Sequence, residues 1–159
     1  MRYLITSALP YANAPLHIGH VLEIVQTDVW VRSLKLAGNN VFYYCASDTH
    51  GTPIMLKAQE LNTTPEKLSK KYKKLHSDTY KSYNVDLNNF HTTHSKENKE
   101  LTEHFFNSAY ERGDIYTKDI EQLFDEQKNI FLSDRFVKGE CPACGAKDQY
   151  GDACEVCGT

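Results

Sequence analysis

The sequence predicts an α/β fold, a parallel sheet with helical crossovers followed by a small β-rich module that carries clustered cysteines. Three observations predict it. A strand-like run, a helix-period run and a second strand-like run follow one another between Tyr3 and Ala46, an order that implies two parallel strands joined by a right-handed crossover. The second strand-like run, Val41-Phe42-Tyr43-Tyr44-Cys45-Ala46, is apolar without alternation, as in strands covered on both faces. After Gly113 the texture changes to short strand-like pieces and two Cys-x-x-Cys pairs, which divides the chain into residues 1–113 and 114–159.

In chain order, Tyr3-Leu4-Ile5-Thr6-Ser7-Ala8-Leu9 reads as the first strand, and Pro10 to Pro15 as a loop stiffened by two prolines. A helix follows from His17 to Ala37. Val21, Ile24, Val25, Val29, Leu34 and Leu36 recur along it at mostly helical spacing, and Gly38 stands at the C′ position. Past the strand Val41–Ala46, Thr52-Pro53 supplies a cap and first residue for a short helix through Leu61. Thr64-Pro65-Glu66 starts a longer helix whose stripe of Leu68, Tyr72, Leu75, Thr79 and Tyr83 predicts core packing. Phe90 to Thr93 reads as a further strand, and Ser95 caps a helix that carries Leu101, Phe105 and Ala109 and stops at Gly113. Ile115-Tyr116-Thr117, Gln122-Leu123-Phe124 and Ile130-Phe131-Leu132 are strand candidates in the second segment.

The 159 residues, 40% of them hydrophobic, suffice for one core of moderate size and a small satellite. The formal net charge is -3, which excludes the strong basic excess of a general RNA-binding surface. Lys67, Lys70, Lys71, Lys73 and Lys74 crowd one helix and read as its solvated face. The longest uninterrupted apolar stretch, Val41 to Ala46, is far too short to span a bilayer, and no basic-then-apolar leader precedes Tyr3, so a cytoplasmic location is expected. Asn62-Thr63-Thr64 matches a glycosylation acceptor, which without a leader is a chance match.

Chemistry concentrates in two places. His17-Ile18-Gly19-His20 opens the first helix, where unpaired backbone N–H groups and the helix dipole favour an anion. Gly19 leaves room for close approach, and two imidazoles can donate to phosphate oxygens, so the quartet reads as a triphosphate cradle. Two histidines on one turn also suit a metal or a bare surface. The adjoining loop adds Tyr11 and Asn13 as a platform for a ring and a sugar. In open parallel sheets ligands gather beyond the carboxyl ends of the strands, where Leu9–Tyr11 and Asp48–His50 both fall. Asp48 suits an ammonium group there, or a turn cap. His50, His91 and His94 are expected to be structural or supporting.

The second place is Cys141-Pro-Ala-Cys144 with Cys154-Glu-Val-Cys157. Two such pairs flanked by Gly145, Gly151 and Gly158 predict a closed tetrahedral Zn²⁺ site with a structural role, disulfides being the alternative. Cys45, inside the apolar strand, reads as a small buried hydrophobe.

Taken together, Ala8-Leu9-Pro10-Tyr11-Ala12-Asn13, Leu16-His17-Ile18-Gly19-His20, Ala46-Ser47-Asp48-Thr49-His50-Gly51-Thr52-Pro53 and Asp134-Arg135-Phe136-Val137-Lys138-Gly139 resemble the N-terminal part of the class I aminoacyl-tRNA synthetases, best of all the methionine-specific family. The resemblance runs essentially from Met1 to Thr159. It implies the first half of a Rossmann-like doubly wound parallel sheet, then a truncated connective segment with the zinc knuckle. It also implies an ATP-dependent ligase that makes methionyl-adenylate and charges tRNA(Met) for protein synthesis. On that resemblance, His17 and His20 stabilise the triphosphate, and Tyr11, Asn13 and Gly19 lie against ATP brought in with Mg²⁺. Leu9, Tyr11 and Asp48 hold methionine, with Asp48 orienting its ammonium group. The family's lysine-rich second motif and anticodon-binding domain are not in these 159 residues, so the chain is expected to be an N-terminal piece unable to complete activation alone. Two other classes share parts of the pattern, namely small-molecule adenylyltransferases with the same histidine motif, and zinc-ribbon scaffold modules.

Overall fold

The computed structural model describes residues 1–127, 129–132, 137–151 and 153–159. Asp134, Arg135 and Phe136 of the family-like stretch, together with Asp152, lie outside the described residues. The chain divides into two compact units, Met1–Ser108 and Ala109–Thr159.

The first unit is a three-stranded parallel sheet in the order β1-β2-β3, made of Arg2–Thr6, Asn40–Ser47 and Asn89–Thr92. Helix α1 (Ile18–Leu36) connects the first pair. Helices α2 (Thr52–Glu60) and α3 (Pro65–Ser82) connect the second. One core joins Ile5, Val41, Tyr43 and Cys45 of the sheet to Ile24 and Val31 of α1 and Tyr80 of α3. Both crossovers therefore cover the same face, as two right-handed crossovers moving in one direction across a sheet must.

That arrangement corrects the expectation for β2. Val41, Tyr43, Cys45 and Ser47 are buried, whereas Phe42 and Ala46 are only half-buried and Tyr44 is 38% exposed. The unbroken apolar run is suited to cover on both faces, but among the described residues helices cover one. The first strand also ends earlier than expected. Beyond Thr6 the chain turns toward α1, where the Ala8 amide donates to Glu23 Oε1 at 2.8 Å and the Tyr43 hydroxyl donates to Ser7 Oγ at 3.2 Å.

Helix α1 ends as expected, with Gly38 at φ +79°. Its buried positions are Val21, Ile24, Asp28 and Val31, while Val29 and Leu36 of the expected stripe are 62% and 89% exposed. An acid displaced them from the inner face: Asp28 accepts from Arg32 Nε at 2.6 Å and from the Asp86 amide at 3.1 Å, and paired in this way it can be buried. On α3 the inner face is Leu68, Ser69, Tyr72, His76 and Tyr80. Its C-terminal half is thus rotated by one residue from the expected Leu75, Thr79 and Tyr83, because His76 finds polar partners inside. Gly51, at φ +106°, takes the N-cap position expected for Thr52. Thr64 caps α3 as expected, its side chain accepting from the Lys67 amide.

Helix α4 (Lys96–Glu111) starts after Ser95, whose hydroxyl accepts from the Asn98 amide at 3.2 Å, and stops at Gly113. None of its residues is buried. The second unit pairs β4 (Phe124–Asp125) with β5 (Ile130–Phe131), and β6 (Lys138–Gly139) with β7 (Gln149–Tyr150), both antiparallel. Ile115 to Thr117, expected as a strand, has no ladder partner and is irregular. No helix among the described residues is long and apolar enough to cross a membrane.

Candidate functional site

Site geometry begins with how α1 is capped. His17 is the N-cap, at φ -98° and ψ 172°, and its Nδ1 accepts from the Gly19 amide at 3.1 Å. In return, His20 Nδ1 accepts from the His17 amide at 3.3 Å. The two rings stack with centroids 3.7 Å apart. Each Nδ1 is thus an acceptor, so in the neutral ring the proton sits on Nε2, a donor on the far side. Burial, then the neighbouring His17, holds the His20 pKa below its ordinary value, with Glu23 opposing. A Cβ on Gly19 would meet the His17 ring at 3.0 and 3.1 Å, so any larger residue would press the ring away from where it folds over the helix end.

The two motif loops touch through their backbones. Tyr11 and Asp48 form a parallel bridge, in which the Ala12 amide donates to the Asp48 carbonyl at 2.8 Å and the Asp48 amide to the Pro10 carbonyl at 2.9 Å. Ala12 is fully buried beneath Ile54, Ala58, Leu68 and Tyr72 of α2 and α3. This anchor leaves Leu9 and Tyr11 exposed, Asn13 half-buried and Asp48 partly accessible. Hydroxyls flank the acid: Thr93 Oγ1 lies 3.5 Å from Asp48 Oδ1 and 2.9 Å from Thr49 Oγ1, and it accepts from the Thr49 amide at 2.9 Å.

Beyond the ends of β2 and β3 a cavity of about 610 Å³ is lined by His50, Thr93, His94 and the first turns of α4. His50 Nε2 and His94 Nδ1 stand 3.2 Å apart. Neither His17, His20 nor Asp48 lines this cavity. Sequence reasoning missed Ala12, Glu23, Ser47, His76 and Thr93. Ala12 and Ser47 stand inside the family-like stretches, and the i, i+4 spacing of His76 from Tyr72 was a further signal.

In the second unit the four Sγ atoms of Cys141, Cys144, Cys154 and Cys157 lie within 4.8 Å of one another. Cys141 to Cys157 is 3.7 Å and Cys144 to Cys154 is 3.6 Å. No disulfide joins them at that spacing, and the cysteines are free. A tetrahedral ion with Zn–S bonds of about 2.3 Å needs sulfurs about 3.8 Å apart, so the residues fit such a group. Each knuckle closes on a glycine of positive φ. The Gly145 amide donates to the Cys141 carbonyl at 2.9 Å and the Gly158 amide to the Cys154 carbonyl at 2.8 Å. Cys45 is buried, and burial pushes its thiol pKa up, as suits an inert hydrophobe.

The family model for class I (M) tRNA synthetases matches residues 3–159. The chain belongs to that family. The methionine–tRNA ligase of Psychrobacter sp. (strain PRwf-1) is 54% identical over 156 residues, which is 98% of this chain and 22% of the relative. That of Vesicomyosocius okutanii is 52% identical over 157 residues, 99% of this chain and 29% of the relative. The chain therefore spans between about a fifth and a third of the length of the curated relatives it matches. Among solved structures, the Mycobacterium tuberculosis methionyl-tRNA synthetase bound by methionyl-adenylate matches with a TM-score of 0.77 at 20% identity, covering 94% of this chain and 31% of that one. The LeuRS of Agrobacterium radiobacter K84, in a ternary complex with tRNA, matches with a TM-score of 0.73 at 22% identity, over 93% of this chain and 20% of that one. These two likenesses establish the fold.

Proposed function

We propose that this chain is the N-terminal part of an ATP-dependent methionine–tRNA ligase, with residues 1–113 one half of the nucleotide-binding domain and 114–159 a connective segment. The carboxylate of methionine attacks the α-phosphorus of Mg²⁺-bound ATP, pyrophosphate leaves, and the methionyl group passes to tRNA(Met). Asp48 pairs with the ammonium group and fixes the carboxylate's approach, while Leu9 and Tyr11 wall the thioether. His17 and His20 donate from Nε2 to the triphosphate oxygens as charge shifts toward pyrophosphate. Tyr11, Asn13 and Gly19 line the nucleotide. No general base is required, because the attacking carboxylate is already ionised at neutral pH. Cys141, Cys144, Cys154 and Cys157 hold one Zn²⁺, which stiffens the knuckle outside the reaction.

The observation that carries this reading is the Tyr11–Asp48 bridge, which ties the loop leading into the imidazole pair to the acid on the next strand. Its test is methionine-dependent exchange of pyrophosphate into ATP, measured on the chain joined to the remaining length of the Psychrobacter relative. The expected result is exchange with methionine and none with leucine. No exchange with methionine, or equal exchange with both amino acids, overturns the reading; exchange by the 159-residue chain alone overturns only the expectation that this segment is insufficient by itself.

A further inference from the structure

His76 carries no motif and comes from α3, yet it is fully buried and both of its ring nitrogens are engaged. Nε2 stands 2.8 Å from the Ala14 carbonyl, which can only accept, so Nε2 carries the proton. Nδ1 is then the acceptor for the Ser47 hydroxyl at 3.3 Å, and Ser47 is itself fully buried. Ala14 adjoins Asn13 and precedes His17 by one short turn of chain, while Ser47 adjoins Asp48. One imidazole thus spans the two loops that the Tyr11–Asp48 bridge joins only through backbone. A residue needed for packing alone would be apolar here, since α3 already contributes Leu68, Tyr72 and Tyr80 to the interior.

We propose that His76 is a positioning residue: it clamps the Ala14 end of the nucleotide loop to the Ser47 end of β2, and so sets how the imidazole pair and Asp48 face one another. Its catalytic consequence rests on the function proposed above, whereas its structural consequence does not, and the experiment separates them. In the 159-residue chain, ¹⁵N imidazole spectra are expected to show the Nε2–H tautomer. His76→Phe, which keeps the ring and deletes both bonds, should speed hydrogen exchange at the Ala12 and Asp48 amides about tenfold, with the Val41 and Tyr43 amides unchanged. His76→Gln, which can donate and accept at similar reach, should restore most of the protection. Should the Phe variant fail to fold, Ser47→Ala removes the Nδ1 bond alone and is expected to give a smaller change at the same two amides. An Nδ1–H tautomer, loop amides unmoved in the Phe or Ala variant, or no rescue by Gln overturns the clamp. In the protein joined to the relative's remaining length, His76→Phe should raise KM for methionine and ATP and lower kcat/KM about tenfold, with rescue by Gln. Loss of exchange by the unsubstituted protein would sink the proposed ligase while leaving the clamp to be decided by the spectra. Unchanged KM in the Phe variant beside a working parent would reduce His76 to packing.

Discussion

At the scale of single residues, substitution can separate the cap that His17 makes in the structure from the phosphate contact proposed for it. Its Nδ1 caps α1 and its Nε2–H faces outward. His17→Ala should lower unfolding stability by about 0.5–2 kcal/mol, as loss of an N-cap does, whereas His17→Asn should keep most of that stability. Both are expected to slow adenylate formation, by about 100-fold or more when a donor to the developing charge is lost. Thermal unfolding read beside pyrophosphate exchange checks the two roles; an Asn variant with full activity would remove the imidazole from the chemistry. Protonation gives a second handle. Burial, above all, and the nearby His20 hold the His76 pKa below its ordinary 6.5, against the pull of the Ala14 carbonyl. His20 of α1 is lowered in the same direction, and the Tyr72 ring lies 6.2 Å from His76. The unfolded chain therefore binds protons first, so stability is whole above pH 6.5 and falls as pH drops from there through the folded values. Urea midpoints between about pH 5 and pH 7.5 should show this loss, and His76→Gln should flatten it. Histidines at a helix start, a lone acid after a strand and paired cysteines announce themselves by residue type and spacing. Ser47 and Thr93 did not, because a hydroxyl in a strand gives no sign of which side chain will cross to meet it.

At the scale of elements, α1 is held by a polar latch. Asp28 receives Arg32 Nε and the Asp86 amide, Arg32 Nη2 reaches the Asn84 carbonyl at 2.5 Å, and Lys35 pairs with Asp86 at 3.1 Å. Asp28→Ala leaves the Asp86 amide and the Arg32 guanidinium without their shared acceptor and should cost about 1–3 kcal/mol, measurable by denaturant titration. Lys35→Ala, which removes an exposed pair, should cost about 1 kcal/mol or less. Order, direction and type of α1 through α4 were legible in the sequence from apolar periodicity and from glycine, proline and hydroxyl punctuation. Facing was less so. The inner lines of α1 and α3 turn on Asp28 and His76, polar residues that hydrophobic periodicity discounts although each is buried once paired. Ile115 to Thr117 shows the opposite failure, where β-prone side chains found no neighbouring strand.

At the scale of the molecule, the division into two compact units predicts that each keeps its own stability. A chelator that strips the cysteine cluster should abolish amide dispersion for residues 137–151 and 153–159 and leave signals of the Tyr43 and Ile24 core in place. Elemental analysis before treatment should give one zinc per chain, and a metal-free protein whose knuckle amides are unmoved would show that the sulfurs need no ion. The Gly19 amide at the head of α1 is already engaged by His17 Nδ1. A phosphate that takes this N–H must evict the ring nitrogen that holds it now. On the function proposed above the imidazole holds the anion's place: without a guest the donor stays paired with His17 Nδ1, and a guest that takes the donor frees that ring nitrogen. Affinity at such a helix end is set by a swap of lone pairs, so tighter self-capping would weaken the guest.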